Sequence, residues 1–475
     1  MTKEIAIIGA GPGGYETAIR GAQLGAKIYL IENRDIGGTC LNRGCIPTKT
    51  YFKNAEIMNT LKRSNEFGIE VDGYRLDGKK LLERKEKVVN DLVSGVEQLI
   101  SSYDNIEFIL GTASIKDKNT VYIELIEGGN REVEVDNIII ATGSKPHMTE
   151  TKGIDLEGVI TSDELLELEE IPESLIVVGG GVIGLEFASI YQELGSQVTL
   201  LASRILKDID KEITRRLPLF FRKQGMKTYV DIRAKEIAKS GDKLKVKAQY
   251  KNKDKEVEVE GDYVLIASGR RPVIEGLNLD EVGISYDIGI EVDCNYETTV
   301  EGIYAIGDVN DTGIQLAHVA SSQGIYVMEK IMGENPDINL HVYPNCVFTL
   351  PEIAFVGKME DELKAEGVGF RKSKFLFVAN GKALSLGDTD GFIKVFSSKE
   401  DNKILGVTII GPHANDLIHE GAFAIANELD EASINRTIHA HPTLSEAFME
   451  AVHGLDNKAI HMAPPRKRRK RKKKK

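Results

Sequence analysis

The sequence predicts an α/β fold in which two copies of one strand–helix–strand unit precede an α+β module. The first observation is an internal repeat: residues 9–32 align with residues 179–202 at a constant offset of 170 (179 minus 9). The second is that alternating strands and two helices follow from about Tyr343, which is typical of an antiparallel sheet. A chain of 475 residues also exceeds a single hydrophobic core and should divide into about three domains.

Each copy of the repeat carries Gly-x-Gly-x-x-Gly between an apolar strand and a helix. We expect strands over residues 5–8 and 27–31 in the first copy, and over 175–178 and 197–201 in the second. Such glycines permit a tight turn and let backbone amides meet a pyrophosphate at the helix N-terminus. Two copies predict two Rossmann-like dinucleotide-binding domains, with non-binding glycine-rich turns as the alternative. The glycines are Gly9, Gly11 and Gly14, and then Gly179, Gly181 and Gly184.

An acidic residue follows the second strand in only one of the two copies. Glu32 closes the first unit, where a carboxylate can accept a hydrogen bond from a ribose hydroxyl. Ala202 stands at the matching place, and Ser203 and Arg204 follow it. Without the carboxylate, discrimination against a 2′-phosphate should weaken, and a hydroxyl with a guanidinium suits such a phosphate. The alternative is that Ser203 only ends the strand and Arg204 points to solvent.

Cys40 and Cys45 lie in the segment GGTCLNRGCIPTK with four residues between them. On a regular helix their Cα atoms would be roughly 8.6 Å apart, beyond the ~7 Å limit for an unstrained disulfide. The backbone must therefore distort, which Gly44 permits. A strained disulfide is easily reduced and is typical of redox cycling. A zinc site would need nearby ligands, and Cys294 and Cys346 are distant; two buried thiols are another alternative. The pair indicates dithiol chemistry without a metal.

Other segments between and after the two units have clear patterns. Residues 50–102 have helical periodicity with many Lys and Glu residues and predict one or two surface helices. Residues 106–141 alternate as strands do and run into ATG, which ends at Gly143. The segment VLIASGRRP repeats this pattern after the second unit, with Gly269 in the matching place. In TTVEGIYAIGDV an apolar strand leads to Asp308.

The segment HAHPTLSEAFMEA contains a histidine suited to acid–base chemistry. Pro442 disfavours a helical conformation at His441, which should place the imidazole extended, at the start of a helix that begins at about Leu444. An imidazole can accept a proton near neutral pH. Glu446 could orient the ring, or it could form a capping box with Thr443. The spacing leaves both interpretations of Glu446 open.

The formal net charge of −12 combines two opposed parts. Residues 466–475 are ten consecutive Lys or Arg, so the rest of the chain carries −22 (−12 minus 10). Such a block repels itself, and we expect residues 464–475 to form a disordered polybasic tail. The tail could bind polyanions such as nucleic acid or anionic lipid. The alternatives are an appended segment or a solvated tail.

Composition and the N-terminal sequence bear on location. Four cysteines in a chain of ordinary globular composition fit a reducing compartment. The first predicted strand begins at Lys3, which leaves no room for a signal or transit peptide. No apolar run approaches the ~18 to 20 residues that span a bilayer. We therefore expect a cytoplasmic protein without a transmembrane segment.

Together these segments resemble the FAD-dependent pyridine nucleotide-disulfide oxidoreductases, over residues 3 to about 460. The class-level resemblance rests on GAGPGGY, the two cysteines, the ATG and ASG segments and GIYAIGD. CLNRGCIPTK together with HAHPTLSE is similar to the dihydrolipoamide dehydrogenase branch. The resemblance implies an FAD-binding domain from residues 1–145 and 271–342, an NAD(P)-binding domain at 146–270 and a C-terminal dimerisation domain at 343–463.

The resemblance also implies roles for individual residues. Cys40 would be the interchange thiol attacked by substrate, and Cys45 would be the charge-transfer thiol nearer the flavin. Lys49 would contact the reactive nitrogen of the flavin and pair with Glu186. The remaining positions implied in cofactor binding are Asp308 at the ribitol, Ala113 at the adenine half, and Ala317 and His318 beside the flavin ring.

The implied activity is oxidation of protein-bound dihydrolipoamide through a Cys40–Cys45 disulfide and FAD to reduce NAD, with NADP as an alternative acceptor. His441 with Glu446 would reach the active site of the other subunit of a homodimer. The implied partner is a lipoylated acyltransferase or lipoyl carrier protein of a 2-oxo acid dehydrogenase or glycine cleavage system. The alternatives are another NAD(P)H-dependent disulfide reductase of the family, or a polyanion-binding protein acting through its tail.

Overall fold

The protein is described by a computed structural model that covers residues 2–207 and 209–463. The predicted polybasic tail, residues 464–475, lies outside the described residues. The chain divides into two compact units. The first contains the residues up to Leu206 together with Phe221–Leu340, and the second contains Lys207–Phe220 and the residues from His341 onwards.

Strands and helices follow each other in the order that the repeat predicts. The first part of the chain contains β1 (Glu4–Ile8), α1 (Pro12–Gln23), β2 (Lys27–Glu32), α2 (Gly38–Arg43), α3 (Cys45–Lys62), α4 (Gly78–Ser101), β3 (Ile106–Asp117), β4 (Thr120–Leu125), β5 (Asn130–Glu134), β6 (Asn137–Ile140) and β7 (Ser144–Pro146). The second repeat and its surroundings contain β8 (Val159–Ile160), α5 (Ser162–Leu165), β9 (Ser174–Val178), α6 (Val182–Leu194), β10 (Gln197–Ala202), α7 (Lys211–Lys223), β11 (Lys227–Val230), β12 (Ile232–Ser240), β13 (Lys243–Tyr250), β14 (Glu256–Gly261), β15 (Tyr263–Ile266) and β16 (Arg270–Pro272).

The remaining elements lead into the C-terminal module. They are α8 (Leu279–Val282), β17 (Ile303–Ala305), α9 (Ala317–Ile331), β18 (Asn345–Val347), β19 (Glu352–Gly357), α10 (Glu360–Ala365), β20 (Phe370–Leu376), α11 (Gly381–Leu386), β21 (Phe392–Ser398), β22 (Ile404–Gly411), α12 (Ala414–Ala426), α13 (Glu431–Asn435) and α14 (Glu446–His453). Short 3₁₀ turns at Ser64–Phe67, Gly307–Val309, Phe377–Ala379 and Gly454–Asp456 complete the described elements.

One mixed sheet and one parallel sheet in the first unit contain the two copies of the repeat. The first has the strand order β17-β6-β1-β2-β3-β4-β5, parallel from β17 to β3 and antiparallel beyond. The second has the order β11-β10-β9-β15-β8 and is parallel throughout. Ile8 pairs with Ile31 in the first sheet, and Val178 pairs with Leu201 in the second. The offset of 170 is therefore also the offset of the strand register, and the predicted α/β class is confirmed.

The core of the first sheet follows from its runs of branched apolar residues. The side chains of Ile5, Ile7, Ile28 and Ile139 are fully buried on one face, as expected for a parallel sheet covered by helices. Helix α9 packs against α1 on that face. Two further small sheets, β12-β13-β14 and β7-β16, are antiparallel.

The C-terminal module has the antiparallel sheet that the alternating pattern predicts. Its strand order is β18-β19-β22-β21-β20. Helix α12 packs on β19 and β22, and α14 packs on β20 and β21. The core between them includes Phe375, Phe377 and Phe448, all nearly inaccessible to solvent.

The expectation that residues 50–102 form only surface helices is wrong for α3. This helix buries Tyr51, Phe52, Ala55 and Met58 and packs against α6 and α4. The abundant charged residues lie mainly on α4, whose exposed face is long. Helix α3 is thus an internal support for the cysteine segment at its N-terminus.

Candidate active site and cofactor sites

The cysteine segment changes direction at Gly44, between α2 and α3. Cys40 lies in α2 and Cys45 is the first residue of α3. A Cβ atom on Gly44 would lie 2.8 Å from the carbonyl oxygen of Thr39, closer than real side chains approach. Glycine is therefore required where the two helices meet, as the sequence predicts. Both cysteines are free thiols, partly accessible to solvent.

The two thiols differ in acidity. A hydrogen bond from Cys40, together with the nearby Lys49 ammonium, outweighs burial and lowers the pKa of Cys45 to about 7. The same hydrogen bond, reinforced by burial, raises the pKa of Cys40 well above its usual value. Cys45 is thus the more acidic thiol of the pair, which agrees with the charge-transfer role that the resemblance implies for it.

Lys49 connects the dithiol to the second copy of the repeat. It lies four residues after Cys45 in α3, and residues so spaced share one face of a helix. Its Nζ atom lies 3.1 Å from Oε1 and 3.0 Å from Oε2 of Glu186, a buried residue of α6. Burial would lower the pKa of Lys49, but Glu186 and the thiols raise it, so the ammonium remains charged. The pairing of Lys49 with Glu186 is therefore present in the structure.

The two glycine turns have the same geometry. The amide of Gly9 donates to the carbonyl of Ile31 at 2.7 Å, and the amide of Gly179 donates to that of Leu201 at 3.0 Å. A Cβ atom on Gly14 would lie 1.8 Å from the Gly9 carbonyl oxygen, and one on Gly184 would lie 2.3 Å from that of Gly179. Side chains are excluded at these positions, which fits a turn that a pyrophosphate approaches closely.

The helices after these turns begin at glycines. Gly11 is the N-cap of α1 and Gly181 is the N-cap of α6, and neither helix has a side-chain cap. The backbone amides of their first turns are thus suited to an anion, except at Pro12, which has no N–H group. Gly38 approaches Gly11 so closely that a Cβ atom on it would lie 2.7 Å from the Gly11 Cα atom. Helix α2, which bears Cys40, therefore starts directly beside the first glycine turn.

Glu32 and Ala202 occupy equivalent places at the ends of β2 and β10. The Glu32 carboxylate accepts hydrogen bonds from the amides of Ala10 at 2.8 Å, Asn33 at 3.1 Å and Arg34 at 2.9 Å. Ala202 is fully buried. A Cβ atom added to Gly180 would lie 2.7 Å from the Cβ atom of Ala202.

Ala202 thus faces Gly180 as Glu32 faces Ala10, because residues 10 and 180 are also 170 apart. Arg204 is exposed and Ser203 is partly buried after it. The structure therefore supports the sequence alignment at this position: the second copy lacks the carboxylate, and Ala202 lies close to Gly180.

The small-residue segments after β6 and β15 are open and meet near Asp308. Gly143 and Gly269 have φ angles of 69° and 126°, and a Cβ atom on either would meet nothing within 4 Å. The hydroxyl of Ser144 donates to Oδ2 of Asp308 at 2.6 Å, and Nε of Arg270 donates to that hydroxyl oxygen at 2.7 Å. Burial raises the pKa of Asp308, although Ser144 and Arg270 oppose the shift.

Ser144 and Arg270 connect Asp308 to the two small-residue segments and were not predicted from the sequence. Ser144 follows Gly143 directly, and Arg270 follows Gly269 directly. Their matching places after ATG and ASG are the signal that could have identified them. The strands that they begin, β7 and β16, pair with each other in antiparallel fashion.

Three further predicted cofactor residues differ in how accessible they are. Ala113 is buried within β3, where it pairs with Ile123. Ala317 and His318 begin α9. The next turn of α9 contains Ala320, whose Cβ would lie 3.3 Å from a Cβ atom on Gly13. The start of α9 therefore lies beside the first glycine turn.

In the second unit His441 and Glu446 form the predicted pair. Nδ1 of His441 lies 2.9 Å from Oε1 of Glu446, and the amide of Thr443 donates to Oε2 at 2.8 Å. With Nδ1–H donating to the carboxylate, the neutral imidazole carries its lone pair on Nε2. Burial raises the pKa of Glu446, but the hydrogen bonds from Thr443 and His441 outweigh it and hold the pKa below its usual value.

Glu446 therefore orients the His441 ring and also accepts a hydrogen bond from the Thr443 backbone, but the capping box that the sequence offered as an alternative does not form. The Thr443 hydroxyl donates to the carbonyl of Ala440 at 2.8 Å, and α14 begins at Glu446 with Ser445 as its N-cap. Thr443 is thus not the N-cap of a capping box, and the helix starts two residues later than expected. The peptide bond between His441 and Pro442 is cis.

Within residues 2–207 and 209–463, no group of three or more His, Cys, Asp or Glu side chains could hold a metal ion. In that same part of the chain no helix is long and apolar enough to cross a membrane.

Comparison with known proteins agrees with this geometry. The family model described as pyridine nucleotide-disulphide oxidoreductase matches residues 3–324, and that of its dimerisation domain matches residues 343–452. The chain is 40% identical over 472 residues to the dihydrolipoyl dehydrogenase of Bacillus subtilis (strain 168), covering 96% of this chain and 99% of the relative.

Two other similar proteins extend the comparison. The mitochondrial dihydrolipoyl dehydrogenase of Pisum sativum is 38% identical over 465 residues, which cover 97% of this chain and 92% of that protein. The crystal structure of LpdA from Mycobacterium tuberculosis matches with a TM-score of 0.88 at 28% identity, covering 96% of this chain and 100% of that one. The chain therefore belongs to the pyridine nucleotide-disulphide oxidoreductase family.

Proposed function

We propose that this protein is a dihydrolipoyl dehydrogenase, which oxidises protein-bound dihydrolipoamide and passes the electrons through FAD to NAD. The observation that carries the proposal is the arrangement of the dithiol: Cys45 lies one helical turn before Lys49, which pairs with the buried Glu186, and the pKa of Cys45 is lowered to about 7. A thiol that titrates near neutral pH is suited to reversible disulfide exchange. Relatives that match nearly the whole chain are named for this activity.

The proposal assigns FAD to the first glycine turn and NAD to the second. Both turns exclude side chains, and both helices that follow have N-termini without side-chain caps. The Glu32 carboxylate is suited to a ribose hydroxyl of the first dinucleotide. A flavin held at the first turn would supply a two-electron acceptor for the dithiol, and a nicotinamide held at the second would supply a hydride acceptor. Ala202 makes NADP an alternative acceptor, because no carboxylate repels a 2′-phosphate there.

Substrate oxidation begins with Cys40 and Cys45 joined in a disulfide. A substrate thiolate attacks Sγ of Cys40, the bond to Cys45 breaks, and the electron pair of that bond remains on Cys45. The second substrate thiol then attacks the substrate sulfur bonded to Cys40, which closes the substrate disulfide and releases Cys40. Two electrons now reside on the protein dithiol. His441 holds one substrate proton and Cys40 holds the other.

His441 supplies the base for the first step. A free thiol with a pKa near ~8.5 is mostly protonated at neutral pH, so attack requires proton removal. Nε2 carries the lone pair because Nδ1–H donates to Glu446. The dimerisation-domain match over residues 343–452 supports a homodimer, in which His441 acts on substrate bound at the dithiol of the other subunit.

The proposal also names partners and a compartment. A lipoyl group attached to an acyltransferase or a lipoyl carrier protein is the natural dithiol substrate, which would make the enzyme a component of a 2-oxo acid dehydrogenase or glycine cleavage system. A dithiol that must cycle suits a reducing compartment such as the cytoplasm. The ten basic residues at 466–475 are suited to polyanions.

Steady-state turnover with defined substrates tests the proposal. The purified protein should oxidise dihydrolipoamide with NAD, and it should reduce glutathione disulfide or mercuric ion with NADPH much more slowly. Faster turnover with either of the last two substrates would contradict the assignment and favour another disulfide reductase of the family.

A further inference from the structure

His439, two residues before His441, has a buried side chain in a loop whose other residues are exposed. The loop connects α13 to the segment before α14, and over residues 436–442 every residue except His439 is exposed. The His439 side chain is only 5% exposed. Its neighbour Ile438, by contrast, is almost wholly exposed. Burial of a single imidazole in such a loop requires a polar partner.

Both ring nitrogens of His439 have an oxygen partner. Nε2 lies 2.6 Å from Oε1 of Glu420, which belongs to α12, and Nδ1 lies 3.2 Å from the carbonyl oxygen of Thr437. A carbonyl oxygen only accepts hydrogen bonds, so Nδ1 must carry a hydrogen. A second proton must then lie between Nε2 and the carboxylate. The pair is either imidazolium with carboxylate or imidazole with carboxylic acid, and it bears no net charge in either form.

Glu420 is suited to share this proton. Its side chain is partly buried, and burial raises the pKa of its carboxyl, although the hydrogen bond and charge of His439 lower it in part. Helix α12 is packed on the central strands of the C-terminal sheet. The partner of His439 is therefore fixed to the core of the module.

The loop is also held on the other side of His441. The side-chain amide of Asn380 donates to the carbonyl of Thr443 at 3.0 Å, and the backbone amide of Thr443 donates to Glu446. His441 thus lies between two attachments: one through His439 to α12 and one through Thr443 to α14 and Asn380. The Glu446 contact alone fixes the ring, whereas the position of the backbone that carries it depends on both attachments.

We propose that His439 and Glu420 are positioning residues, which share one buried proton and hold the loop so that His441 meets the substrate thiol. This inference rests on the proposed function, because it assigns His441 as the base. A displacement of about 1 Å of a catalytic group can cost on the order of 10²-fold in rate. Loss of the pair should therefore lower turnover without removing any group that contacts substrate.

Three variants separate a positioning role from other effects. Glu420→Ala removes the partner of His439 and leaves a buried imidazole with an unsatisfied nitrogen. His439→Ala removes the pair from the other side. Glu420→Gln keeps both hydrogen bonds, because its amide can donate to Nε2 of a neutral His439 while Nδ1–H still donates to Thr437. Asp416→Ala is the matched control, since Asp416 is an exposed acid of the same helix.

Two measurements decide the inference. In Glu420→Ala and His439→Ala, kcat/KM for dihydrolipoamide should fall about 10-fold, while NADH-dependent reduction of ferricyanide, which needs no thiol base, stays at the wild-type rate. Hydrogen exchange of residues 437–443 should accelerate in both. Glu420→Gln and Asp416→Ala should behave as wild type in both measurements.

Other results would overturn the inference. Unchanged kcat/KM and unchanged exchange in His439→Ala would show that the loop does not depend on the pair. Glu420→Gln as impaired as Glu420→Ala would show that ionisation, rather than position, is what matters. If the wild-type protein fails to oxidise dihydrolipoamide, the proposed function fails, whereas the exchange measurement still decides whether the pair holds the loop.

Discussion

Lys49 and Glu186 join the helix that carries Cys45 to the helix that opens the second nucleotide unit. Nζ of Lys49 lies 3.0 Å from Oε2 of Glu186, although the two residues are 137 positions apart in sequence. Lys49 also lies one helical turn after Cys45. The contact therefore places an ammonium group, paired with a carboxylate, beside Cys45, the thiol whose pKa is lowered to about 7.

The first prediction concerns this charge. Because the Lys49 ammonium lowers the pKa of Cys45, Lys49→Met should raise that pKa from about 7, by on the order of one unit. In the reduced protein the pH midpoint of iodoacetamide alkylation at Cys45 should move upward accordingly. Lys53→Met, which removes an exposed lysine from the same helix, is the control. An unchanged midpoint in Lys49→Met would mean that the lysine does not stabilise the thiolate.

Part of this site could be predicted from the sequence and part could not. The two glycine turns depend on local spacing, so the offset of 170 already located the amide contacts of Gly9 and Gly179. Without the family resemblance, the sequence would indicate only an ordinary solvated lysine at position 49. Its contact with Glu186 depends on tertiary packing of α3 on α6, which no local pattern encodes.

The burial of α3 and the double role of Glu446 were missed for related reasons. Charged residues are abundant over residues 50–102 as a whole, and this average concealed the apolar side chains of Tyr51 and Phe52. From the sequence spacing, Glu446 could either orient the His441 ring or contact Thr443, and these were regarded as alternatives. A carboxylate has two oxygens, however, and Glu446 uses one for each.

The second prediction tests the base. His441→Ala should lower kcat for dihydrolipoamide oxidation by a factor on the order of 10² or more, as expected when a general base is lost. His413→Asn serves as the control, because His413 is exposed in the same unit and has a left-handed backbone that Asn tolerates. Near-normal turnover of His441→Ala in a steady-state assay would exclude His441 as the base.

The third prediction concerns the choice of nicotinamide. Ala202 faces Gly180 at the place where Glu32 faces Ala10, so the wild-type protein should show measurable activity with NADP as well as NAD. Ala202→Glu should shift preference toward NAD by on the order of tenfold, about 1.4 kcal/mol. The measurement is kcat/KM with each cofactor. Wild-type protein that ignores NADP, together with an Ala202→Glu variant that behaves identically, would show that position 202 does not face the ribose.

The fourth prediction concerns the basic segment at residues 466–475. Deletion of residues 464–475 removes ten positive charges and should abolish binding to heparin at low salt, because such binding is electrostatic. Turnover of dihydrolipoamide should remain at the full-length rate. Loss of activity in the truncated protein would contradict the separation of the tail from catalysis, and retained heparin binding would locate the polyanion site elsewhere.

The fifth prediction separates the two thiols. Cys45→Ser should abolish dihydrolipoamide turnover while FAD stays bound, because serine cannot form the disulfide that accepts electrons. The flavin absorbance of the purified variant checks cofactor retention. Cys294→Ser is the control, since Cys294 is an exposed thiol away from the pair. Turnover in Cys45→Ser comparable to that of the control would contradict the assigned role.

Anaerobic titration of the FAD-loaded protein with dihydrolipoamide tests the central claim most directly. If Cys45 becomes a thiolate beside oxidised flavin, two electrons per subunit should produce a long-wavelength charge-transfer band while the main flavin absorbance is largely retained. Cys45→Ser should show no such band. Bleaching of the flavin by the first two electrons without a charge-transfer band in the wild-type protein would contradict the account.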